Sequence, residues 1–180
     1  MQLEKVSGML RSANEFLEIS SNSKTFIPNF VNMAFACELY LKTILECKNV
    51  ICNVHNLEIL YGKAFDTTNE QNAESTEEDF LQLLCDEINA DFNEMPHEEG
   101  YITICEGTTN AKDNLKMMFD RHKNLFVEWR YIYEGKIERP YSVDMTLEAF
   151  ANTLKKYVTN MIDLSITFDE AKQKYPDNRT

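Results

Sequence analysis

Glycine and proline are scarce in this chain, at 5 and 4 of 180 residues. An all-β fold spends such residues on its many tight turns, so their scarcity argues against one. Basic residues are short as well: 18 Lys and Arg stand against 30 Asp and Glu, a net charge of −12. Broad, non-specific nucleic-acid binding needs clustered cations to neutralise phosphates. This balance opposes it while leaving room for a small basic pocket. No apolar run approaches the ~18 residues that cross a bilayer. The opening residues Met-Gln-Leu-Glu-Lys carry no apolar stretch of the signal-peptide kind. The motifs G-x-x-x-x-G-K-[ST], G-x-G-x-x-G and G-x-S-x-G are missing. Phosphate cradling by a Gly-rich loop and hydrolase chemistry on a nucleophile elbow therefore have no support, and no cofactor is implied.

What is present describes a globular chain. Hydrophobic residues make up 43% and aromatics 11%, too many for a disordered segment. The length fits one domain, 1–180, with a core of useful size. Cysteines stand at Cys37, Cys47, Cys52, Cys85 and Cys105. An odd number without a signal peptide points to reduced thiols and a cytoplasmic setting. Cys47-x4-Cys52-x2-His55 has some flavour of a metal site, but the paired C-x2-C spacing and a fourth ligand are missing. His97, Glu98, Glu99 and Cys105 are scattered along one loop. No metal site is expected from either group.

Apolar spacing is the clearest signal. Val6, Met9, Leu10, Ala13, Phe16 and Leu17 form one face of a helix that the run Ser20-Ser21-Asn22-Ser23 ends. From about Pro28 to Cys47 a second helix is apolar on most sides, which predicts a central position touched by several neighbours. Its polar residues Asn32, Glu38, Lys42 and Glu46 fall within roughly a third of the circumference. A short helix follows, from Val54 to about Phe65. Ser75 with Glu78 is a capping-box pattern, and Phe80, Leu81, Leu84, Cys85, Ile88 and Phe92 carry that helix onward. Residues 93–110 read as a long loop or insertion. Leu115, Met118, Phe119, His122, Leu125, Phe126, Trp129, Ile132 and Tyr133 predict one continuous helix of about five turns. Gly135 stops it and Pro140 prevents resumption nearby. The last helix starts near Thr146 and carries Leu147, Phe150, Ala151, Leu154, Tyr157, Val158, Met161, Leu164 and Phe168. The expected fold is all-α: an antiparallel bundle of four long helices with one or two short ones.

Two stretches carry a family likeness. One is Ala34-Phe35-Ala36-Cys37-Glu38-Leu39-Tyr40-Leu41-Lys42 followed by His55-Asn56-Leu57; the other is Phe126-Val127-Glu128-Trp129-Arg130-Tyr131-Ile132-Tyr133-Glu134. In this order they resemble bacterial members of the HEPN superfamily (higher eukaryotes and prokaryotes nucleotide-binding), over roughly residues 1–170. The resemblance implies a helical bundle, commonly a dimer. Many relatives are metal-independent ribonucleases of toxin–antitoxin, phage-defence or RNA-processing systems, and others act as binding or partner modules. The nuclease members carry Arg, four to six residues, then His. This chain departs from that pattern: Arg11, Arg121, Arg130 and Arg139 have no His at the required distance.

The candidate residues each admit two roles. Arg130 and Glu134, one turn apart, form an anion or nucleotide contact or a structural pair flanking Trp129, with Glu38 a partner of Arg130 across the bundle. Glu38 and Lys42 line a shared polar pocket with Arg130, or form an i, i+4 pair on the least buried face of their helix. His122 lies on a core stripe, where a lone histidine is usually packed and hydrogen-bonded. His55 opens a short helix, where it caps or orients the chain. Tyr131, Tyr133 and Trp129 suit an interface. The expectation is a divergent, non-catalytic protein acting through a homodimer, a protein partner, or a bound nucleotide or RNA. The alternative is a ribonuclease with a site rebuilt from Arg130, His122, Glu38 and Lys42. RNA cleavage without metal needs a group to move a proton and a cation to stabilise the phosphorane.

Overall fold

The structure is a computed structural model, and it describes residues 3–22, 26–66, 77–94, 107–124 and 145–162. Among these residues all regular structure is helical. The elements are α1 (Leu3–Asn22), α2 (Phe26–Cys47), α3 (Leu57–Ala64), α4 (Glu77–Glu94), α5 (Gly107–His122) and α6 (Met145–Met161). No helix among the described residues is long and apolar enough to cross a membrane.

The stripes read from the sequence face inward. Val6, Leu10, Ala13 and Leu17 of α1 are buried, as are Leu147, Phe150, Leu154, Tyr157 and Val158 of α6. The end of α1 follows from its serines and asparagine: Ser20 and Ser21 donate to the Leu17 carbonyl, and Asn22 to that of Glu18. These side chains back-bond to carbonyls three and four residues upstream and so compete with the helix ladder as it ends. Helix α1 runs antiparallel to α2. Lys5 pairs with Glu46 at one end. The Tyr40 hydroxyl donates to Asn14 at 2.7 Å in the middle. Phe16 meets Phe35 edge-on near the other end.

Helix α2 holds the central place that its composition predicts, packing against α1, α3 and α6. Pro28 fits in its first turn, where no backbone donor is lost. Its far end closes in a Schellman motif. The Val50 amide donates to the Leu45 carbonyl at 2.8 Å and the Asn49 amide to that of Glu46 at 3.0 Å. Asn49 occupies the left-handed region at φ 56°, a conformation that asparagine tolerates better than most residues. The turn sends residues 50–55 back along α2.

Helix α3 is short and rests on its neighbours. Its Tyr61 ring lies within 4.7 to 6.2 Å of Phe65, Phe80, Phe119 and Phe150. Those rings come from the C-cap of α3 and from α4, α5 and α6, so with Tyr61 one aromatic cluster joins four helices. Each fully buried ring contributes on the order of 1.5–3 kcal/mol. The Tyr61 hydroxyl donates to Glu77 at 3.2 Å.

Two boundaries differ from the sequence reading. Helix α5 begins at Gly107, inside the stretch expected to be a loop, because Ala111 already lies on the buried face with Leu115 and Met118. Gly107 enters the helix at φ +81°, which a side chain would strain. Helix α5 also ends at His122, with a turn at residues 123–124, so the expected continuous helix through Tyr133 is interrupted there. A long-range hydrogen bond marks the break: the Lys123 carbonyl accepts from the Leu57 amide at 2.9 Å. The rest of that expected helix lies outside the described residues.

Candidate functional site

The Schellman turn after α2 brings residues 51–56 over the polar strip of that helix, and a small charged cluster forms there. Glu38 is at its centre. Its side chain is 2% exposed, so it is not part of a surface pair, and the reading of Glu38 and Lys42 as an exposed pair is corrected. Glu38 Oε1 accepts two hydrogen bonds, from Lys42 Nζ at 2.8 Å and from His55 Nδ1 at 2.9 Å. Burying a carboxylate is costly unless it is paired and hydrogen-bonded, and these two donors meet that need on one oxygen. The other oxygen, Oε2, has no hydrogen-bond partner among the described residues.

Exposure within the cluster is graded. Lys42 is 22% exposed and His55 51%, against 2% for the carboxylate between them. The cluster therefore has a buried anionic base and a rim of two nitrogen-bearing side chains. A carboxylate only accepts, so His55 Nδ1 carries the proton. In the neutral ring this tautomer puts the lone pair on Nε2. The arrangement matches a carboxylate that fixes the tautomer and orientation of an imidazole, with an ammonium alongside.

The residue after His55 ties the cluster to the rest of the bundle. Asn56 is the N-cap of α3: its Oδ1 accepts from the Ile59 amide at 3.0 Å. Its Nδ2 donates to Asn124 Oδ1 at 2.8 Å. Beside it run the bond from the Leu57 amide to Lys123 and an ion pair of Lys123 with Glu58 at 2.7 Å. That Glu58 hydrogen bond holds the Lys123 ammonium above its ordinary range. The amino end of α3 thus meets the carboxyl end of α5, with opposite ends of the two helix dipoles together. A continuous polar seam results, from Lys42 through Glu38, His55 and Asn56 to Asn124.

His122 is enclosed in the core. It is 2% exposed and stacks on Phe30 with ring centroids 5.7 Å apart. The ring is packed as its stripe position suggests, while the hydrogen bond expected of a core histidine is not made at Nδ1 among the described residues. Arg130, Tyr133 and Glu134 lie outside the described residues, as do Trp129 and Tyr131, so the Arg130–Glu38 pairing expected from the sequence is not among the contacts described. Of the residues singled out, the structure joins Glu38 and Lys42. It adds His55, whose place next to Glu38 the sequence reading missed. The available signal was the polar strip on an otherwise apolar helix, followed within one turn-back by a histidine.

Cys37, Cys47, Cys52 and Cys85 are free thiols. Cys105, with His97, Glu98 and Glu99, lies outside the described residues. No group of three or more His, Cys, Asp or Glu side chains among the described residues is placed to hold a metal ion. Comparison with known protein families, with characterised proteins and with solved structures gives no match to this chain.

Proposed function

We propose that this chain is a divergent HEPN-like protein that works by association, with itself, a protein partner or a nucleotide, and does not cut RNA. One observation carries the reading. His122, the histidine of α5, is 2% exposed and stacked on Phe30. A group that moves a proton in RNA cleavage must come within hydrogen-bond reach of the ribose hydroxyl, and a ring enclosed in the core does not. The missing Arg–His spacing agrees with this, and so does a net charge of −12, which suits a basic protein partner better than a polyanion. A place in a toxin–antitoxin-like or defence system follows from the resemblance. The reading is tested with labelled RNA at micromolar protein, with and without added metal, alongside light scattering for self-association. Intact RNA and a dimer or partner complex are expected; RNA cleavage that tracks the purified protein sinks the reading.

A second reading, a metal-independent ribonuclease with a rearranged site, is favoured by the His55–Glu38 pair. His55 is half exposed and its Nδ1 is held by a buried carboxylate, as a general base held by its orienting acid would be. Lys42 stands on the same oxygen and supplies the positive charge that a phosphorane requires. In this reading the base is His55, not His122. Cleavage abolished by His55→Ala, with unchanged circular dichroism, is the result that supports it.

A further inference from the structure

We draw no further inference here: the strongest candidate, the half-satisfied carboxylate of Glu38 between Lys42 and His55 where residues 51–56 fold back over α2, belongs to the site already described, and nothing in the structure shows what covers its second oxygen.

Discussion

The imidazole of His55 and the carboxylate of Glu38 meet at 2.9 Å, one half exposed and the other enclosed. The contact fastens residues 51–56 to α2 and leads directly into the cap of α3. Its energetic weight lies in the carboxylate, since Oε1 is where both donors converge. Replacing Glu38 with Ala removes the acceptor of Lys42 and His55 and opens a small void. The expected loss is about 2–4 kcal/mol, below that of a fully enclosed pair because Lys42 can turn toward water. Glu38→Gln keeps an acceptor and the shape, and costs about 1–2 kcal/mol. Urea unfolding of both variants measures this. Equal, negligible losses would show that the cluster has no structural weight.

Asn56 has two separable duties, capping α3 and reaching Asn124. Asn56→Ala loses both and costs about 1–2 kcal/mol. Asn56→Asp keeps the cap oxygen and loses the donor, so it recovers the capping share, on the order of 1 kcal/mol. A double-mutant cycle with Asn124→Ala isolates the bond between the two side chains. Additive losses in that cycle would mean that the seam from α3 to α5 carries no coupling.

These two sites also show what the amino-acid sequence discloses and what it withholds. The face of α1 and the face of α6 are legible because apolar spacing alone decides which side is buried. The end of α1 is legible because Ser20, Ser21 and Asn22 act on carbonyls only three or four residues away. The break after His122 is different. Local spacing continues through Leu125 and Phe126, and nothing nearby signals that the Lys123 carbonyl is taken by the Leu57 amide. The burial of Glu38 is hidden for the same reason. On its own helix it belongs to the polar strip, and its partner His55 stands 17 residues further along the chain, where only the fold brings it close.

Asn49 tests the turn that creates this fold-back. At φ 56° a side chain with a branched or bulky Cβ is strained, and glycine is not. Asn49→Ala is expected to lower stability by about 1 kcal/mol, and Asn49→Gly to leave it unchanged or raise it by a few tenths. Thermal unfolding followed by circular dichroism separates the two. A glycine variant less stable than the alanine one would contradict the assigned backbone.

Alkaline pH reports on the buried acids. Burial pushes the Cys37 thiol well above its ordinary range, and it does the same to the Tyr40 phenol, with the nearby Cys37 adding to the shift. Tyr61 is raised first by burial and then by the negative charge of Glu77. For all three the folded pKa lies above the unfolded one. The folded state therefore keeps protons that the unfolded chain releases. This stability is fully present below the unfolded pKa values and is lost as pH rises toward the folded ones. The urea midpoint should start to fall above about pH 8.5, where an unfolded thiol ionises, and fall more steeply above about pH 10, where unfolded tyrosines do. Cys37→Ala should weaken the early part of the decline, to which the Cys47 thiol, also raised by burial, contributes, and leave the steep part. Tyr61→Phe should soften the steep part, at a cost of about 0.5–1.5 kcal/mol at neutral pH for the lost bond to Glu77. Thiol labelling of the native protein gives an independent check. Cys47 and Cys52 are partly exposed and should react, whereas Cys37 is enclosed and should react only as the chain unfolds. Rapid native labelling of Cys37 would place it outside the core and remove its share of the early alkaline loss.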